Sequence, residues 1–397
     1  MKILQICHRV PYPPTDGGNI AMLNMAKSLC AAGAVVHQFA LNTQKHHVDT
    51  TTLPELFHGL LHFSCADIDT RIKPGAAIRN LFTKDSYNVS RFYSEDAQSA
   101  LIEILKKEDF DVVQLETLFT APYIPAIRNY SKAKISLRAH NAEHIIWERL
   151  AKYEKNILRK KYLEFLSRRL KNYELSVLGQ IDFLVPITPV DEAIFQELGY
   201  RNPILSLPLG VDLSDYPYNF QSMPSLVPFH LGSMDWLPNV EGVEWFLKSC
   251  WPLIHKTFPD LNLHLAGRSF PEHILQANHP GVICQGRIEN ANAYMADKQI
   301  MIVPLLSGSG MRVKIIQGLA LGKTIISTRI GAEGIHVQSG KNILLADTPE
   351  EFLTAMKYCL ELPHKCMDIG RSARALAEEE YSNLTIGKKL LAFYSTT

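Results

Sequence analysis

Short apolar runs alternate along most of the chain with longer stretches whose apolar positions recur at helical spacing. In the first half the runs Lys2–Cys7, Val35–Leu41, Asp111–Leu115, Ile135–Arg138 and Phe183–Pro186 predict strands. In the second half the same holds for Pro228–Leu231, Leu261–Ala266, Val282–Cys284, Ile300–Leu305 and Thr324–Ser327. Strands separated by helices imply parallel sheets covered by helices, a doubly wound α/β class. Two groups of about five strands predict two Rossmann-like domains. The segment "NPILSLPLGVDLSDYPYNFQSMPSLVP" (202–228) is rich in Pro, Ser and Asp with little periodicity, which places the boundary at 204/205. From Glu143 to Leu178 the chain has neither Gly nor Pro, and Ile146, Leu150, Tyr153 and Ile157 keep a helical period. That predicts one long helix or two abutting ones.

Composition narrows the function classes. A length of 397 residues fits two or three domains, and 46% hydrophobic with 20% charged residues is ordinary for a globular protein with a sizeable core. The formal charge of +1 gives no basic excess of the kind nucleic-acid binders carry, so no nucleic acid is expected. Seven scattered cysteines, never spaced CxxC, argue against a disulfide framework or structural zinc and point to a reducing compartment. No apolar run reaches the length of a membrane span. "MKILQICHRVPYPP" reads as a first strand, not a signal peptide, so the expected location is the cytoplasm. One charge feature stands out. Residues 149–171 hold nine Lys or Arg against two Glu, and on a continuous helix Arg149, Lys152, Arg159 and Lys160 share roughly one face. Such a stripe is either a solvated face or a contact for an acidic acceptor or the inner face of a membrane.

Ligands of open parallel sheets bind beyond the carboxyl ends of strands, and phosphates favour helix N-termini with free amides. Three stretches answer that description. In "TDGGNIAMLNMAKSLCAAG", Gly17 and Gly18 follow the first strand and open a helix ending at Gly33, in a pattern that is neither GxGxxG nor a P-loop. In "ISLRAHNAEH", His140 sits just past a strand, ahead of a helix with Asn141 as candidate N-cap. His144 follows four residues on, yet nothing nearby completes a metal site, so no metal is expected. The third stretch is "SGSGMRVKIIQGLALGKTII", whose Arg312 and Lys314 stand in the first turns of a helix, where the dipole repels cations. At about 100° per residue, Lys314, Gln317 and Gly318 share a face with Gly310, while Val313, Ile316 and Ala320 face the core. A bound diphosphate bridging the cations and the amides of 308–311 would turn that repulsion into attraction.

Taken in order, these stretches resemble the retaining nucleotide-sugar glycosyltransferases of glycosyltransferase family 4. "LPLGVD" resembles the opening of that family's second domain. "LGSMDWLPNVEGVEWF" with Gly232, "LAGRSF" and "ICQGRIENANAYMADKQIMIVPL" resemble its successive strand-and-loop units, and "EEEYSNLTIGKKLLAFY" its closing helix. The resemblance implies a GT-B fold, with two Rossmann-like domains facing across a cleft. It also implies domains at 1–204 and 205–379, with a helix at 380–397 returning to the first. It implies transfer, without a metal, of a hexose from a UDP- or GDP-sugar to a glycan or lipid-linked acceptor of a cell-surface polysaccharide.

Site roles follow by motif position. Arg312 and Lys314, with the amides of Ser309, Gly310 and Met311, would hold the diphosphate. Gly17 and Gly18 would close on it, His140 would contact the transferred sugar, and Arg287 with Ile288 would border the base. Two positions depart from the family pattern of glutamates eight apart. Ser309 replaces the one meeting the sugar, and Gln317 the one meeting the ribose. A binding subunit without transfer activity and a nucleotide-sugar epimerase remain open on the same fold.

Overall fold

The computed structural model describes the chain except residues 15–16, 51–52, 54–60, 72–85, 155, 219–224, 276–278, 309–310 and 397. It forms two compact units, Met1–Gly210 together with Asn383–Thr397, and Val211–Ser382.

The first unit is built on β1 (Lys2–Cys7), β2 (Val35–Thr43), β3 (Leu61–Ile68), β4 (Val112–Glu116), β5 (Lys134–Ala139) and β6 (Phe183–Pro186). All are parallel, in the order β3-β2-β1-β4-β5-β6, so strand order reverses between β1 and β4. Strands β1 and β4 are buried almost end to end, as strands covered on both faces are, and carry the polar Gln5, Gln114 and Glu116 among their apolar residues. The edge strand β3 escaped the sequence reading because "LHFSCADI" is only partly buried and mixes polar with apolar residues.

Helix α1 (Gly17–Ala31) follows β1 and lies against the closing helix Asn383–Tyr394. A Cβ at Gly387 would fall 1.9 Å from the Ser28 carbonyl oxygen, so the two backbones touch and only glycine fits. Ser28 Oγ donates to Asn383 Oδ1 at 3.0 Å at one end of this contact. At the other, the Tyr394 hydroxyl donates to Gln114 Oε1 at 2.8 Å beneath the sheet.

The Gly- and Pro-free stretch is two helices, α2 (Glu143–Tyr153) and α3 (Ile157–Leu178). Asn156 starts the second, its Oδ1 accepting from the amides of Leu158 and Arg159 at 3.0 and 3.1 Å. The break means Arg149 and Lys152 do not share a continuous helical face with Arg159 and Lys160. Asn141 does not cap α2; the N-cap is Ala142, with no side-chain bond. A buried His144–Glu174 contact of 2.5 Å and a Ser167 Oγ bond to the His144 carbonyl oxygen at 3.1 Å clamp the pair of helices.

The second unit repeats the plan with β7 (Ser225–Leu231), β8 (Leu263–Ala266), β9 (Val282–Gly286), β10 (Lys298–Val303), β11 (Thr324–Ser327) and β12 (Leu344–Leu345). The order is β12-β11-β10-β7-β8-β9, all parallel, reversing between β7 and β10. Helix α4 (Leu237–Trp245) follows β7, and α5 (Val313–Ala320) lies between β10 and β11. The seven cysteines are free.

Candidate functional site

In the second unit the chain leaves the sheet at the switch point between β7 and β10, where such sheets take ligands. Gly232 directly follows β7, and its amide donates to the Ala266 carbonyl at 3.0 Å. The Gly267 amide in turn donates to Gly286 at 2.8 Å, so the ends of β7, β8 and β9 lie in one row. Arg287 and Ile288 follow Gly286 at the far end of that row, Arg287 exposed and Ile288 half-buried.

Space over Gly232 is the focus of this cluster. A Cβ there would lie 2.8 Å from Lys314 Nζ, 2.9 Å from His230 Nε2 and 3.0 Å from Asn239 Nδ2. Three nitrogens from β7, α4 and α5 thus converge on one atom-sized position. Lys314 Nζ donates to Asn239 Oδ1 at 2.8 Å, and Asn239 Nδ2 to the Ser233 carbonyl at 2.7 Å, which fixes both heads. The ammonium keeps two further N–H groups and the amide keeps one. His230 is 1% exposed, and its Nδ1 donates to the Ile302 carbonyl at 2.9 Å. Its Nε2 therefore carries a lone pair, buried without a partner, toward the same space. Burial, and then the neighbouring Lys314, hold His230 down at about 3, so it stays neutral. Burial, and then Arg312, depress Lys314 to about 7.

Helix α5 begins one residue later than its two cations suggest. Arg312 is the N-cap, with non-helical φ −87° and ψ 96°, and only Lys314 lies in the first turn. Arg312 is buried, its guanidinium 5.1 Å from the centre of the Trp236 ring. Gln317, one turn on from Lys314, donates from Nε2 to the Tyr216 hydroxyl at 3.1 Å, leaving its Oε1 as an acceptor.

The helical wheel misplaced two residues of α5. Gly318 faces the sheet, where a Cβ would meet Met301 Sδ at 2.8 Å, and Val313 is only half-buried. Ile315, Ile316 and Leu319 are fully buried, so the core face is centred nearer Ile315 and Leu319 than on Val313. Met311 is half-buried, and Ser309 and Gly310 lie outside the described residues.

The first unit holds a second cluster at its own switch point. Strand register sets Glu116 between Cys7 and Arg138. Glu116 and Arg138 are wholly buried, with Arg138 Nη1 donating to Glu116 Oε2 at 3.2 Å. Gln5 and Gln114 donate to the other carboxylate oxygen at 2.7 and 2.6 Å, and Gln38 donates to Gln5 at 2.8 Å. Burial alone would raise the Glu116 carboxyl, but Arg138, His140 and Gln5 outweigh it and bring it to about 2. His140, just past β5, places Nε2 2.8 Å from Glu116 Oε2. Burial lowers its basicity, partly opposed by Glu116, so the ring is neutral near pH 7. Arg138 Nη1 also lies 3.2 Å from Nε2, but the shorter contact to the ionised Glu116 outweighs it, so Nε2 carries the proton and Nδ1 the lone pair. Gly17 and Gly18 open α1, Gly17 exposed and Gly18 half-buried. His140 and His144 are held by different carboxylates, Glu116 and Glu174. Among the described residues no group of three or more His, Cys, Asp or Glu is arranged to hold a metal.

Sequence reasoning missed His230, Asn239, Trp236, Tyr216, Glu116 and Arg138. His230, Glu116 and Arg138 sit inside largely apolar strands, where a polar residue among hydrophobic neighbours is the only local signal, and Trp236, Asn239 and Tyr216 stand within two residues of a proline with no motif of their own.

Residues 226–361 match the family model described as Glycosyl transferases group 1. A 44.6 kDa protein in the cps region of Klebsiella pneumoniae is 24% identical over 357 residues, 87% of each chain. Sucrose-phosphate synthase from Thermosynechococcus elongatus superposes with a TM-score of 0.71 at 16% identity, covering 100% of this chain and 98% of that one. Anabaena HepE in complex with UDP-glucose gives 0.65 at 13% identity, covering 100% of both. The fold shared with these structures is GT-B.

Proposed function

We propose that this GT-B protein, with its glycosyl transferases group 1 domain, is a retaining glycosyltransferase. It would move a hexose from a UDP- or GDP-sugar to a glycan or lipid-linked acceptor in polysaccharide synthesis. The relative from a cps region supports the pathway class, and a structural neighbour holding UDP-glucose supports the donor class. The observation that carries the reading is the ring of three nitrogens over Gly232.

In this reading Lys314 and Asn239 give N–H bonds to the donor diphosphate, and Arg312 with the backbone of 309–311 completes the charge. The His230 lone pair accepts from a donor hydroxyl or an ordered water. Gln317 Oε1 accepts from the ribose, Arg287 and Ile288 border the base, and Gly17 and Gly18 close over the phosphates. His140 contacts the transferred sugar. The anomeric carbon–oxygen bond to the diphosphate breaks as the acceptor oxygen bonds to that carbon on the same face. The acceptor proton passes to the leaving diphosphate, so no enzyme nucleophile and no metal is called for. Catalysis rests on positioning and on charge already in place.

Calorimetry with UDP, GDP, ADP and their sugars tests the reading; failure of every nucleotide to bind at millimolar concentration overturns it. Gly232→Ala tests the observation itself. A methyl there displaces the Lys314 ammonium, which can swing away, and presses on the tethered His230 ring, which cannot, so the melting midpoint falls somewhat while donor affinity falls by about tenfold, the loss of roughly one good hydrogen bond. Unchanged affinity would remove Gly232 from the site.

A further inference from the structure

Helix α3 carries an apolar stripe on its outer face. Leu158, Tyr162 and Phe165, spaced i, i+4, i+7, are 80%, 51% and 39% exposed, with Ile157 at 71% beside them. The opposite side of the helix does the packing, through Ser167, Leu170, Glu174 and Val177. Scattered exposed hydrophobics are ordinary, but a stripe at helical spacing is a built surface.

Its charge surroundings say what it meets. Between Ile157 and Lys171 stand Arg159, Lys160, Lys161, Arg168, Arg169 and Lys171, against Glu164 alone. Lys161 and Arg159 flank the stripe on its two sides. Arg159 pairs with Glu154 at 3.1 Å, and Arg169 lies over the Phe165 ring at 5.5 Å. Lys161 and Arg168 make no ion pair among the described residues. A second copy of the chain would bring the same cations against these, a like-charge contact that opposes pairing. Protein interfaces are depleted in lysine at their centres, whereas apolar residues rimmed by Lys and Arg suit a helix lying in an acidic lipid surface. No helix among the described residues is long and apolar enough to cross a membrane, so the contact is peripheral.

We propose that the outer face of α3 docks on an anionic lipid bilayer. Leu158, Tyr162 and Phe165 enter the boundary between headgroups and acyl chains, and Lys161, Arg168 and Arg159 face the acidic headgroups. The assignment stands independently of the transfer reaction.

Flotation with vesicles of phosphatidylcholine, alone or mixed with phosphatidylglycerol, tests it on the full chain. The protein is expected to float with the acidic vesicles, not the neutral ones, and to release as salt rises. Lys161→Glu with Arg168→Glu is expected to lower partitioning more than about tenfold, since each cation near the surface contributes roughly fivefold. Leu158→Ser with Tyr162→Ser is expected to lower it comparably. Both pairs are exposed, so the melting midpoint should hold. Three results overturn the proposal: no binding to acidic vesicles, binding that neither pair weakens, or a lipid-free dimer that Leu158→Ser with Tyr162→Ser dissolves.

Discussion

His140 Nε2 lies 2.8 Å from Glu116 Oε2, and that one contact decides which ring nitrogen carries the proton. Glu116→Gln keeps the shape and inverts the chemistry. Its amide oxygen still accepts from Gln5 and Gln114, while its NH2 and Arg138 Nη1, which loses its acceptor there, both turn donors on His140 Nε2 and force the proton to Nδ1. If His140 meets the sugar through Nδ1, the transfer rate should fall by about 10² or more with donor affinity nearly unchanged. Steady-state kinetics beside calorimetry makes the comparison. Nitrogen NMR on the unaltered protein should show the Nε2–H tautomer. A rate that survives the substitution would leave Glu116 a purely structural partner of Arg138.

Acid should unfold both units early. His8 and His230 are each held near 3, in both cases chiefly by burial, against an ordinary value of 6.5. Between those limits the unfolded chain binds protons that the folded chain does not, so stability rises with pH through that window and is lost as pH falls. Each group contributes up to about 1.4 kcal/mol per pH unit there. Thermal midpoints should drop steeply below pH 6. A flat profile between pH 6 and 4 would mean these rings are protonated in the folded state.

The alternation of apolar runs was enough to read a doubly wound fold, because strands covered on both faces announce themselves by hydrophobicity alone. Strand β3 was not legible, since an edge strand with Ser64, Ala66 and Asp67 need not be apolar. The motif positions Gly232 and Lys314 were legible, and the structure sets them side by side. Their partners were not. Asn239 and His230 come from separate elements and meet Lys314 only through the β7–β10 adjacency, which no local pattern encodes. Glu116 was hidden for the same reason: its partners Gln5, Gln114, Arg138 and His140 are neighbours through register across β1, β4 and β5. The wheel for α5 erred because periodicity tells which residues share a face but not which face meets the sheet, and the buried face is the one carrying Ile315, Gly318 and Leu319.

Gln317 offers a reversal of the family departure. Its Nε2 donates to Tyr216, so Gln317→Glu loses that bond, but the tyrosine hydroxyl can rotate to donate to the new carboxylate. A charged acceptor roughly doubles a hydrogen bond to a ribose hydroxyl. Nucleotide affinity should therefore rise about three- to tenfold, measured by calorimetry with the preferred nucleotide. Neutral or weakened binding would take Gln317 away from the ribose.

Lys314 links donor binding to pH. Burial and Arg312 bring its ammonium to about 7, so near neutrality much of it is uncharged in the free protein. A diphosphate within bonding distance favours the charged form and raises that value. Above about pH 7 binding must then take up a proton, and affinity falls as pH rises, by up to about tenfold per unit. A nucleotide sugar is the right probe, because its diphosphate has no proton of its own to lose near neutrality. Calorimetry in buffers of different ionisation enthalpy should register up to one proton taken up at pH 8 and less at pH 6. Lys314→Ala should remove both the proton uptake and the pH slope, and weaken binding by about 1.5–3 kcal/mol, the range for a bond to a charged group. Donor affinity that is flat from pH 6 to 9, together with unchanged affinity in Lys314→Ala, would show that the ammonium does not meet the diphosphate.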